Sequence, residues 1–398
     1  MRKAPLDGIR VLDLTQVMAG PYATMIMGDL GAEVIKVESP DTGEMSRTFP
    51  PHFIQETSAY FLSLNRSKKS IVLNLQTHEG KEIFYRMVRK SDVVIYNFRP
   101  GIAERLKIDY GILKTVNPDI ICCSMTAFGP DGPYGAQPAY DLTIQALSGA
   151  MSMTGEPGRS PLRLGIPMGD LAASLYAVVG VVSALYARKA EGGGGQLIDL
   201  ALLDALFSLI TYPAVYYFIG GEIPQPLGSG HQSVVPFQAF PTKDRYITIC
   251  APTEKFWSAL CGALGREDLA NDPRFATAAD RLRNKDELHA IMEGILRQKS
   301  CEEWYGRLVD AGVPCAPVNT VDHAIHDPAI RHRDMIVEVQ HREKKFKMVG
   351  NPLKFSGHPP STYQGPPGLG EHSEEILVNL LGYSREDVKR FREANVIQ

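Results

Sequence analysis

The sequence is short of cysteine, of tryptophan and of any charge excess: its 398 residues include six cysteines and two tryptophans and carry a formal net charge of -3. Cys122, Cys123, Cys250, Cys261, Cys301 and Cys315 form no CxxC pair, which argues against a disulfide framework or a thiolate zinc site and for a reducing compartment, the cytoplasm. Cys122 and Cys123 stand in an apolar run and read as small buried residues facing opposite ways. No histidines are spaced HxH or HxxxH, and His323 and His326 have no cysteine beside them, so no metal ligands are assigned. Near-balanced charge offers no general attraction for nucleic acid or an anionic membrane surface. Met1 to Gly8 lacks an apolar signal core. Leu171 to Ala187 is uncharged but short for a membrane span and interrupted by Ser174, Gly180 and Ser183, so a buried core helix is expected and no membrane partner.

What is present is an alternation. Strand patterns at Ile9–Leu14, Glu33–Glu38, Ser70–Leu75, Asp92–Tyr96 and Ile120–Met125 are separated by helical ones, among them Pro21–Leu30 and Glu79–Arg89. Apolar runs spaced by helices predict an α/β fold, a mostly parallel sheet covered on both faces. Two long apolar helices follow, Leu171–Lys189 and roughly Asp199–Ile219, and Gly192 to Gly195 between them reads as a tight turn because the strand-like Gln196–Leu200 resumes at once. Gly220–Gln232 carries glycine and proline without periodicity and marks a boundary. Beyond it, the hairpin pattern of Phe237–Phe240 and Tyr246–Cys250, with helices after it, predicts a smaller α+β domain. The expected division is a large domain at 1–200 completed by 330–398, a linker at 201–225 and a small domain at 226–329.

The opening Val11–Pro21 has the strand-loop-helix shape of a dinucleotide fold but lacks G-x-G-x-x-G, which argues against a nicotinamide or flavin cofactor. Asn97–Arg105 follows a strand, where ligands of open parallel sheets bind, and its cations suit a phosphorylated ligand or simply solvent. Asp170 stands where a loop meets the apolar helix, as a helix cap or as a carboxylate nucleophile. Pro226 to His231 reads as a hinge or as a loop that closes over a reaction centre.

Together Pro5–Leu14, Ala19-Gly20-Pro21, Leu30–Glu38, Asn65–Leu75, Asn97–Gly101 and Gly169-Asp170 resemble, in order and spacing, the class III CoA-transferases, a family that includes formyl-CoA transferase, carnitine CoA-transferase and the α-methylacyl-CoA racemases. The resemblance spans essentially the whole chain. It implies a Rossmann-like large domain, an interlocked homodimer and Asp170 as the nucleophile of CoA transfer between an acyl-CoA and a carboxylic acid. The CoA thioester is then a substrate, and no permanently bound cofactor is implied. Val17, Met18, Ala19, Leu73, Asn74, Leu75, Gln76, Asn97, Phe98, Arg105 and Tyr140 would line the CoA site. Gly228, Ser229 and Gly230 would form the loop that shields the acylated carboxylate. Formyl-CoA transferase has a nucleotide-contacting arginine where this chain has Ser39, so that contact is expected to be lost or to be supplied elsewhere, with Lys68 and Lys69 as the candidates.

The racemases of the family carry His-Asp where this chain has Tyr140-Asp141, and tyrosine is a poor proton shuttle near neutral pH, so racemisation is the alternative and transfer the expectation. A non-catalytic CoA-binding protein is the more distant alternative. The segment Gly230–Asp244 looks most like the branch that uses succinyl-CoA with dicarboxylates. For the distal carboxylate of such a substrate, His231, Gln232 and Arg47 are the candidates.

Overall fold

The computed structural model describes residues 3–359 and 361–398, so Met1 and Arg2 of the N-terminal segment lie outside the described residues. The large unit comprises Met1–Met151, Arg163–Glu222 and His332–Gln398, and the small unit Ser152–Leu162 and Ile223–Arg331.

Six strands, β1 (Arg10–Asp13), β2 (Glu33–Glu38), β3 (Lys68–Val72), β4 (Val93–Tyr96), β5 (Ile121–Thr126) and β6 (Leu197–Ala201), form the sheet of the large unit. Their order is β3-β2-β1-β4-β5-β6, and every pair is parallel. This doubly wound order reverses direction between β1 and β4, which opens a crevice beyond their carboxyl ends. Leu12, Ile35, Ile71, Val94 and Cys122 face one apolar layer, which residues 376–397 complete with Ile376, Leu377, Val388 and Phe391. Val11, Val34, Val93 and Cys123 face the other, where Ala172, Ala173, Ala177 and Val181 pack against them. The adjacent cysteines therefore point to opposite faces and are both buried.

Two departures from the sequence reading concern α-helix limits. The apolar helix runs Met168–Glu191, and it buries only its alanine-rich stripe while Leu175, Tyr176, Val179, Val182 and Tyr186 stay exposed. The single helix expected at 199–219 is a strand through Ala201 followed by helices Leu202–Ser208 and Thr211–Gly220, bent by 72°. Pairing with Cys122–Thr126 places Leu197–Ala201 in the sheet, in line with the strand-like run at 196–200, and moves the helix start to Leu202. Gly192 to Gly194 all adopt positive φ, and the Gly195 amide donates to Pro118 O at 2.8 Å, so the glycine run is a tight turn.

The small unit pairs Phe237–Pro241, Tyr246–Cys250 and Cys315–Pro317 as an antiparallel sheet. Phe240, Ile247, Ile249, Trp257, Leu260 and Trp304 form its core. Its limits differ from those expected: residues 201–222 belong to the large unit, and Ser152–Leu162 joins the small one. The Gly228 amide donates to Gly155 O at 2.8 Å, a contact that no sequence pattern announces.

Candidate active site

The site begins at the crevice. The chain leaves β1 through Leu14–Met18 and β4 through Asn97–Pro100, and the Asn97 side chain clamps the two loops together. Its Oδ1 accepts from Gln16 N and its Nδ2 donates to Gln16 O, each at 2.9 Å. Helix Ala19–Asp29 then starts against Thr15, and a Cβ on Gly20 would lie 2.2 Å from that side chain, which explains the glycine. Behind the loop, Asp13 is fully buried and paired with Lys68 at 2.9 Å and Lys36 at 3.8 Å. Burial alone would raise the Asp13 carboxyl, but the two lysines outweigh it and hold it well below the usual carboxylate range.

Asp170 is the third residue of helix Met168–Glu191. It is not the cap of that helix: the N-cap position is Pro167, and Asp141 Oδ1 accepts from the Gly169 amide at 2.8 Å and the Asp170 amide at 3.4 Å. Asp141 thus does the capping from a different helix, Asp141–Leu147. Gly169 permits this approach, since a Cβ there would sit 3.0 Å from Asp141 Oδ1. Among the described residues, no donor reaches the Asp170 carboxylate. Burial, with the Asp141 charge adding to it, pushes that carboxyl up to about 7, so the helix N-terminus does not keep it fully ionised at neutral pH. Ser174 Oγ lies one turn along, 2.6 Å from Ala19 O and 2.7 Å from Asp170 O, so its single proton is shared between the two carbonyls and links the two helix starts.

Asp170, Val17, Met18, Ala19, Asn97, Phe98 and Tyr140 line one cavity of about 370 Å³, joined there by Gln16, Met45 and Gln137. Leu73, Asn74, Leu75, Gln76 and Ser39 line a second of about 150 Å³, and Gln16 and Phe98 belong to the walls of both. The sequence candidates of the large unit therefore converge on two adjoining hollows. Arg105 is exposed and lies outside both linings, although its neighbour Leu106 contributes to the second. Tyr140 is 68% exposed.

Three cations assigned from the sequence are occupied elsewhere. Lys68 does not replace the missing arginine at Ser39: its ammonium is buried, bonded to Asp13, Pro21 O and Asn65 Oδ1, and pulled down to about 8 chiefly by burial. Lys69 pairs with Glu33 and Glu375. Arg47 is buried in a bidentate pair with Glu38, both bonds 2.7 Å, and is unavailable to a substrate carboxylate.

Two residues escaped the sequence reading. Tyr60 has its hydroxyl pushed up to about 12 by burial and by the nearby charges of Asp170, Glu44 and Asp141. Glu44, 2% exposed, accepts from Val17 N at 2.9 Å. Neither stands in a recognisable motif, and only the fold brings them to the crevice.

In the small unit, Gly228 has φ +60, Ser229 Oγ accepts from Ala239 N at 3.0 Å and Gly230 N donates to Leu227 O at 3.0 Å. His231 packs its ring on Phe237 and accepts from Ser233 N at 3.1 Å, and Gln232 is half-buried. Gly230 and His231 line a hollow of about 180 Å³ with Glu156, Lys285 and His289. Among the described residues no cluster of three His, Cys, Asp or Glu side chains has the geometry of a metal site.

Comparison with known proteins gives a consistent result. The family model described as CoA-transferase family III matches residues 6–373. The chain is 38% identical to the acetyl-CoA:oxalate CoA-transferase of Acetobacter aceti, over 94% of this chain and 95% of that protein. It is 35% identical to the succinyl-CoA:glutarate CoA-transferase of Homo sapiens, over 99% of this chain and 90% of that protein. Among solved structures, a CAIB/BAIF family protein from Brucella suis superposes with a TM-score of 0.86 at 36% identity, covering 95% of this chain and 100% of the other. Rv3272 from M. tuberculosis superposes with a TM-score of 0.84 at 32% identity, covering 95% and 100%.

Proposed function

From the premise that the chain belongs to CoA-transferase family III, we propose that it moves CoA from an acyl-CoA, foremost succinyl-CoA, to a short carboxylic or dicarboxylic acid through covalent intermediates on Asp170. The observation that carries the reading is the Asp170 carboxylate itself, without a donor of its own among the described residues and set in the wall of a hollow with the loop that leaves β1. Glutarate, oxalate and mesaconate appear in the names of relatives, which supports a dicarboxylate acceptor.

Asp170 attacks the thioester carbonyl, the C–S bond breaks, and CoA leaves as thiolate, giving a mixed anhydride. The thiolate then attacks the aspartyl carbonyl and releases the donor acid, leaving an aspartyl-CoA thioester. The acceptor carboxylate attacks that thioester, CoA thiolate departs once more and finally takes the acceptor acyl group, returning the Asp170 carboxylate. One thioester is exchanged for another, so the equilibrium is near balance. Water destroys an activated acyl group, and the Gly228–Gly230 loop is the proposed shield. His231 and Gln232 are the proposed contacts for the distal carboxylate, since Arg47 is engaged by Glu38.

The working form is proposed to be a homodimer, and the reaction to be cytoplasmic. Helix Thr211–Gly220 has no buried residue, with Phe218 72% and Ile219 83% exposed, and an apolar surface of this kind calls for a partner. All six cysteines are unpaired, in keeping with a reducing compartment. Mass-spectrometric assay of CoA exchange from succinyl-CoA to a panel of mono- and dicarboxylic acids tests the reaction. The wild type is expected to form a new acyl-CoA and Asp170→Ala none. Absence of exchange with every acid, together with α-proton exchange on a 2-methylacyl-CoA, would replace transfer by racemisation.

A further inference from the structure

Every hydrogen-bonding backbone group from Thr15 N to Val17 N is held by a side chain of the large unit. Thr15 N donates to Asp13 at 2.9 Å, Thr15 O accepts from Lys36 at 2.8 Å, Asn97 takes both groups of Gln16, and Val17 N donates to Glu44 Oε1 at 2.9 Å. Val17 has φ +69, the only β-branched residue among the described residues with positive φ outside glycine. A β-branched side chain disfavours that conformation, so the surroundings must impose it. The imposing group is a buried carboxylate saturated on both oxygens: Glu44 Oε1 serves Val17 N and Ser46 Oγ, and Oε2 serves Lys36 Nζ at 2.9 Å. Lys36 is 1% exposed and bonded in turn to Thr15 O, so one ion pair grips the loop at two points. Val17, Met18 and Ala19, which this grip places, line the same hollow as Asp170.

We propose that Glu44 is a positioning residue for the transfer reaction, its Lys36-paired carboxylate fixing the strained Val17 backbone that shapes the wall facing Asp170. The proposal rests on the Asp170 reading above. A carboxamide has one acceptor atom where Glu44 uses two, so in Glu44→Gln the NH2 group must face either the Val17 amide or the Lys36 ammonium, donor against donor. The loop is then released with no change in side-chain volume. Misplacing a reacting wall by ångström distances costs on the order of 10²-fold in rate.

The test is single-turnover formation of the covalent Asp170 adduct from succinyl-CoA, followed by intact-protein mass in wild type, Glu44→Gln, Val17→Gly and the double variant. The adduct rate constant in Glu44→Gln is expected to fall about 10- to 100-fold, with the half-saturating succinyl-CoA concentration changed by less than about threefold. Glycine adopts positive φ without strain, so in the Val17→Gly background the same Glu44 substitution is expected to cost several-fold less. An unchanged rate in Glu44→Gln, or equal losses in both backgrounds, overturns the proposal. A wild type that forms no adduct overturns the Asp170 reading instead. Should Glu44→Gln fail to fold, amide exchange of wild-type Val17 decides: protection beyond that of exposed loop amides supports the grip, and exchange at their rate overturns it.

Discussion

Burial and the Asp141 charge push the Asp170 carboxyl up to about 7, which makes it sensitive to pH around neutrality. Only the ionised form attacks a thioester, so kcat/KM is expected to rise with pH through about 7 and then level off. Asp141→Asn removes the neighbouring charge while leaving an oxygen for the Gly169 amide, and is expected to move the acid limb of that profile to lower pH. An unmoved limb would remove Asp141 from the account. The same shift bears on stability. A carboxyl whose folded value lies above the ordinary carboxylate range favours the folded state at low pH, and that contribution is lost as pH rises through about 7. Asp170→Asn is therefore expected to raise Tm relative to wild type at pH 8 but not at pH 4, as differential scanning fluorimetry at both values will read.

Between elements, the coupling is carried by single buried polar atoms. Ser174 Oγ joins the start of helix Ala19–Asp29 to the start of helix Met168–Glu191, and Ser174→Ala leaves the Ala19 carbonyl without that donor. A loss of about 1–3 kcal/mol in urea unfolding is expected, with the transfer rate falling alongside if the register of the helices matters to the reaction. Contacts of this kind also mark the limit of sequence reading. The strands and their alternation with helices were legible because apolar runs are bounded by turn residues, and Asp170 and Asn97 because each stands at a junction. Lys68 looked free to replace the arginine missing at Ser39 because its partner, Asp13, is far away in sequence. Residues 199 and 200 stand both in a strand-like run and at the start of a helical pattern, and pairing with β5, a tertiary fact, decides for the strand. Glu44, Tyr60 and the capping role of Asp141 follow only once distant segments meet.

For the whole molecule, the exposed apolar residues of helix Thr211–Gly220 make oligomeric state the decisive property. Native mass spectrometry is expected to show a dimer, and Phe218→Asp a shift to monomer with loss of transfer. The chain passes between the two units at 151/152, 162/163, 222/223 and 331/332, so one proteolytic cut in a connection leaves the small unit still attached. Residues 376–397 supply part of one apolar layer of the sheet, and Asn74 N, just beyond β3, donates to Val396 O. During synthesis β3 therefore emerges long before the segment that covers it, and that face of the sheet stays open while most of the chain is still being made. Closing that layer is therefore a late, long-range step in the folding of the large unit.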